Sequence, residues 1–103
     1  MSRYVLMPAA KEDLIEIRDY YLEKAGHHVA RQMIVEFVAA FTFLAGTPGA
    51  GHLRQDLAEE RPILFWPMRD YLILYKPATN PLQILSIFRG SRDVPALVGR
   101  RGL

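Results

Sequence analysis

The sequence has no cysteine, which excludes a disulfide framework, a thiolate metal site and a cysteine nucleophile and suits a reducing compartment. It also lacks a long apolar run. The longest, Met33 to Ala45, is interrupted by Glu36 and Thr42 and falls short of the ~20 residues a bilayer crossing needs. The opening MSRYVLMPAAKED has no apolar core of a signal peptide, so a cytoplasmic protein without a membrane span is expected. Histidine is scarce: His27 and His28 are adjacent, His52 is distant, and no pair stands at i, i+4, so no metal site is expected. Ser2, Ser86 and Ser91 lack the surroundings of an activated nucleophile. Pro48-Gly49-Ala50-Gly51 contains G-x-G, but it follows a helical pattern and lacks the third glycine, so it reads as a turn and not as a dinucleotide site. No cofactor and no small-molecule substrate are expected, and there is no internal repeat or low-complexity segment.

What remains fits one domain over residues 1–103, half of its residues being hydrophobic and 23% charged. The formal charge of +2 is unevenly spread. Residues 1–60 carry six Lys and Arg against nine Asp and Glu. Residues 61–103 carry Arg61, Arg69, Lys76, Arg89, Arg92, Arg100 and Arg101 against only Asp70 and Asp93. An anionic partner is therefore drawn to the C-terminal part, where arginine predominates and bidentate contacts to carboxylate or phosphate are favoured.

The pattern predicts a brief strand over Tyr4 to Met7, then a helix opening at Pro8, where the missing amide proton does no harm. Glu12, Asp13 and Glu16 suit the positive end of that helix, a sufficient structural reason for clustered carboxylates. Ala10, Leu14, Ile17, Tyr21 and Ala25 form a narrow apolar stripe flanked by Ile15 and Leu22, and Gly26 stops the helix. A second, core helix follows from Ala30, Met33, Ile34, Phe37, Val38, Phe41, Leu44 and Ala45, ending at Gly46-Thr47-Pro48; the two pack as an antiparallel hairpin. Phe43 falls off the main arc and is expected at the surface. Residues 46–62 read as a loop with a helical turn near Gln55 to Glu60. Ile63 to Pro67, Tyr71 to Lys76 and Leu82 to Phe88 then read as a strand meander. Their dense apolar content predicts a sheet covered on both faces, by the hairpin and by a partner or the C-terminal tail. A weak turn is expected near Pro95 to Val98.

The segments YVLMPAAKEDLIEIRDYYLEKAG, LAGTPGAGHLRQDL and FWPMRDYLILYKPATNPLQILSIFRGSRDVPAL resemble the ParE toxins of the RelE/ParE toxin-antitoxin superfamily, the plasmid-stabilisation type. The specificity lies in combining Ala10, Asp13, Leu14, Ile17 and Tyr21 with Pro48 and Gly51, Tyr71 to Tyr75, and Gly90-x-Arg92-Asp93. The resemblance implies an α+β fold, β-α-α-β-β-β, with an antiparallel sheet packed on a helical hairpin. It also implies a cytoplasmic toxin inhibiting DNA gyrase and silenced, in a hetero-oligomer, by a cognate ParD-like antitoxin encoded beside it.

The alternatives are a RelE-like ribosome-dependent mRNA endoribonuclease and a detoxified binding module. A nuclease of that kind needs cations at the cleaving phosphate and a proton-transfer group. Here Pro62 to Met68 has no Lys or Arg, Leu72 stands where nuclease members tend to carry arginine, and no Tyr or His follows Tyr75. The reading therefore favours a non-enzymatic inhibitor with no catalytic residues. Relatives carry arginine where Leu64 and Ser86 stand, and histidine where Arg89 stands. Arg69, Arg89, Arg92 and Asp93 are the candidates for contact with the target. Ile15, Arg18, Leu22, Phe43, Tyr71 and Tyr75 are the candidates for binding the antitoxin, whose C-terminal part is expected to fold on contact and to bring acidic side chains.

Overall fold

The structure is a computed structural model describing residues 3–53 and 63–90. Strand β1 (Tyr4–Leu6) leads into helix α1 (Pro8–Gly46), a 3-10 turn (Pro48–Ala50) and strand β2 (His52–Leu53); β3 (Leu64–Met68), β4 (Tyr71–Lys76) and β5 (Leu82–Arg89) follow. Helix α1 starts at Pro8 with the Lys11 amide bonded to the Met7 carbonyl at 3.0 Å. It ends where Thr47 N–H caps the Phe43 and Leu44 carbonyls and Pro48 forbids another turn.

A straight helix of 39 residues would be about 58 Å long, yet the longest extent of the protein is 40 Å. The helix folds back at Gly26, whose φ of 87° and ψ of 175° are not helical. That region is essentially reserved for glycine, so a side chain there would strain the backbone although open space surrounds the position. The two arms, residues 8–25 and 27–46, form the expected hairpin.

The sheet runs β1-β5-β4-β3-β2. The α+β class and the meander hold, with two differences from the sequence reading. First, β1 pairs parallel to β5, with Tyr4 opposite Leu82, so the sheet is mixed. Second, the segment expected to be all loop contributes β2, antiparallel to β3 through His52 opposite Phe65. The predicted turns near Gln55 to Glu60 and Pro95 to Val98 lie outside the described residues.

One face of the sheet meets the hairpin. Ala10, Ile17, Met33, Phe37, Phe41 and Leu44 pack there against Tyr71, Ile73, Tyr75, Leu82, Ile84 and Ile87. Phe37 and Phe41 are fully buried, and truncating such a phenylalanine typically costs about 3–5 kcal/mol. Val38, expected in the core arc, instead lies at the surface. The opposite face carries a second cluster of Ile63, Leu74, Leu85 and Phe88, joined by Met7, Phe65 and Leu72.

A bulge explains how β5 serves both faces. Leu74 pairs with Ser86 but Tyr75 pairs with Ile84, leaving Leu85 as an extra residue. Before the bulge Leu82 and Ile84 face the hairpin; after it Ile87 does, while Leu85 and Phe88 face away. By length and apolar content α1 could cross a bilayer, but its second arm commits Met33, Phe37, Phe41 and Leu44 to the sheet.

Candidate functional site

Two surfaces stand out. The first is at the end of the sheet where the β3–β4 turn meets the end of β5. Arg69 and Asp70 make that turn, Arg69 with a φ of 54°, a left-handed conformation that costs a non-glycine residue about 1–2 kcal/mol. Two contacts hold it. The Arg69 guanidinium donates from Nε and Nη2 to both Glu36 carboxylate oxygens at 2.7 Å, and Gly90 N–H donates to the Asp70 carbonyl at 2.6 Å. Hydrogen bonds from Arg69 hold the Glu36 carboxyl below its ordinary value.

Arg89 lies beside this turn, its guanidinium 5.4 Å from the Tyr20 ring centre and 5.6 Å from that of Tyr71. It also donates from Nη2 to the Tyr71 hydroxyl at 3.3 Å. The Tyr71 hydroxyl is 3.5 Å from that of Tyr21. That contact, with burial second, pushes the Tyr21 phenol up to about 12. Pro67, Arg69, Asp70, Tyr71, Leu72, Arg89 and Gly90 enclose a groove of about 430 Å³. On the other side of Arg89 a second groove, of about 370 Å³, is lined by Asp13, Glu16, Ile17, Tyr20, Tyr71 and Ile87.

The second surface is the outside of the hairpin near its bend. Leu22, Ala30 and Ile34 floor a groove of about 260 Å³, rimmed by Arg18, Arg31 and His27. Arg18 is held by its neighbour Asp19 at 2.9 Å. Leu22 and Ile15 are both exposed, and the groove lies on the side of the hairpin expected to receive a partner helix.

The expected site residues thus divide. Arg69 and Arg89 share the groove at the end of the sheet, whereas Arg92 and Asp93 lie outside the described residues. Arg18 and Leu22 line the hairpin groove and Ile15 is exposed on the same arm. Phe43 is exposed as expected, but its ring lies 5.3 Å from that of Trp66 on β3 and is not part of the groove lining.

Tyr71 and Tyr75, expected to contact the antitoxin, are placed in the core, with Tyr71 also lining both grooves beside Arg89. They are 5% and 0% exposed, because their strand carries the hairpin face of the core. The Tyr75 hydroxyl is used internally, donating to the Pro48 carbonyl at 2.6 Å and accepting Gly51 N–H at 2.8 Å.

Three residues were missed. Asp13, read as a dipole-favoured helix residue, is buried, and its Oδ2 accepts Ile87 N–H at 3.0 Å. Its place between Ala10 and Ile17 on the apolar face was the available signal. Tyr20 and Glu36 find partners 69 and 33 positions away, and no local pattern announces them. Among the described residues no cluster of three His, Asp or Glu suited to a metal occurs.

The chain is thus a small α+β protein, a helical hairpin on a mixed sheet, with a groove at the sheet's end beside Arg89 and an apolar groove outside the hairpin. The family model of the ParE toxin of the type II toxin-antitoxin system, parDE, matches residues 4–94, and the chain belongs to that family. The solved chromosomal ParDE TA system from P. aeruginosa shares the fold with a TM-score of 0.70 at 21% identity, covering 86% of this chain and 96% of that one. No curated protein matches. The chain is therefore the toxin of a parDE-type system, which implies an antitoxin partner.

Proposed function

We propose that this toxin inhibits DNA gyrase without enzymatic chemistry, acts in the cytoplasm, and is silenced by a ParD-like antitoxin whose C-terminal segment folds across the helical hairpin. The observation that carries the antitoxin part is the hairpin groove. Its apolar floor of Leu22, Ala30 and Ile34 between Arg18 and Arg31 matches an amphipathic helix with acidic flanks. A disordered antitoxin tail that orders there would release the toxin again when degraded.

Support for a non-enzymatic action comes from the sequence. A nuclease needs cations at the cleaving phosphate and a proton-transfer group, whereas Pro62 to Met68 has no Lys or Arg and no Tyr or His follows Tyr75.

The test is expression in cells with and without the antitoxin gene. Growth arrest with chromosome breaks and intact messenger ends, relieved by the antitoxin, is the expected result. Arrest with new cuts within messages on the ribosome would transfer the assignment to the nuclease class.

A further inference from the structure

We infer that the antitoxin helix places a carboxylate on His27, at the bend end of the hairpin groove, so that protonation of this histidine tightens the complex. The inference rests on the reading of that groove as the antitoxin site and adds to it a contact residue and a response to acid.

Among the described residues the groove is lined by Arg18, His27 and Arg31 around its apolar floor, and by no carboxylate. The three are not equivalent. Arg18 is held by Asp19 at 2.9 Å, whereas neither His27 nor Arg31 has a side-chain partner among the described residues. Both are exposed. Arg31 follows His27 by one helical turn on the second arm, so the two share a face of it. A partner helix that covers Leu22, Ala30 and Ile34 therefore brings its flanking side chains onto His27 and Arg31 together, and two carboxylates three or four positions apart on that helix would meet both.

The charges around the bend all belong to described residues. The first arm supplies Arg18 and Lys24 against Asp19 and Glu23, and the second supplies Arg31, with His27 and His28 between. Cations exceed carboxylates before either histidine is protonated, and each protonation widens the excess. The sheet lies on the other side of the hairpin, and the charged residues there that reach the helices, Arg69 and Arg89, meet Glu36 and Tyr20. Histidine is the side chain that gains charge between about pH 8 and 5, a range in which Asp and Glu of a partner stay ionised. A carboxylate beside an imidazole favours its charged form, and by linkage the charged form favours the carboxylate. His28 is turned about 100° further round the helix and does not line the groove, which makes it the internal control.

The test is isothermal titration of the full toxin with the antitoxin encoded beside it, from about pH 7.5 down to about pH 5.5. The wild-type complex should tighten by about two- to fivefold, the size of one exposed ion pair. His27→Gln should lose that gain and His28→Gln should keep it. His27→Lys, charged throughout, should bind at neutral pH about as tightly as the wild type does in acid. Comparing variants against one antitoxin cancels the titration of the antitoxin's own groups, and circular dichroism establishes that each variant is folded. Leu22→Glu tests the groove reading separately, since it should weaken binding at every pH. Undiminished affinity in Leu22→Glu would overturn that reading and the inference with it. If Leu22→Glu does weaken binding, an acid response unchanged in His27→Gln, or lost equally in His28→Gln, or absent from the wild type, would overturn the inference alone.

Discussion

The carboxylate of Asp13, in the first arm of the hairpin, accepts the backbone N–H of Ile87, in the last strand, at 3.0 Å across 74 positions of sequence. The bulge at Leu85 makes this possible. Strand β1 pairs with β5 only as far as Ile84, and the extra residue turns the Ile87 amide outward, where no strand among the described residues receives it. Asp13 takes that place. Asp13→Ala leaves a buried amide unpaired and should destabilise the protein by about 1.5–3 kcal/mol, with Asp13→Asn losing less. Urea unfolding measures this, and an unchanged slope would assign the loss to the folded state.

Glu36 and Arg69 form the other long-range polar link, between the second arm and the β3–β4 turn. Because the pairing depresses the Glu36 carboxyl below its ordinary 4.5, its contribution is present above that value and fades as pH falls through the lower folded value. The pair is solvent-exposed, so the effect is small and screened by salt. The urea midpoint of the wild type should exceed that of Glu36→Gln at neutral pH, and the difference should close on acidification and in high salt.

Tyr75 ties the sheet to the turn after the hairpin through Pro48 and Gly51. Tyr75→Phe keeps the ring and removes both bonds, and should cost about 1–3 kcal/mol. Gly51→Ala should cost at least as much, because a Cβ there would stand 2.8 Å from Tyr75 Cε1 and 2.9 Å from Cζ. Thermal unfolding of both variants compares the two.

The hairpin groove makes a prediction about silencing. Leu22→Glu and Arg31→Glu should each weaken the toxin's complex with its antitoxin by about tenfold or more, equivalent to about 1.4 kcal/mol. Phe43→Ala, against Trp66 and outside the groove lining, should change it little. Isothermal titration reads all three, and undiminished affinity after removing the antitoxin's C-terminal third would contradict the groove's role.

Much of the fold was legible because its signals are local. Pro8, Gly26 and Pro48 mark the starts and stops of the hairpin arms, and Ala30 to Leu44 repeats at helical spacing. What escaped depended on distant pairing. Leu82 to Phe88 looked uniformly apolar because the bulge at Leu85 switches the alternation midway, and no residue type marks a bulge. Strand β2 is two residues long and exists only because β3 lies beside it. Tyr71 and Tyr75 read as contact residues because a tyrosine suits an interface and a core equally; which it serves depends on the helix packed over it. Of the surface, the apolar flank with Leu22 was readable from the helical period. The Arg89 cradle was not, since Tyr20 comes from another element.

The most direct test of the account is supercoiling of relaxed plasmid by purified DNA gyrase with ATP and the purified toxin, with and without its antitoxin. The account predicts inhibition or trapped cleavage that the antitoxin reverses. Full supercoiling at saturating, folded toxin would contradict it.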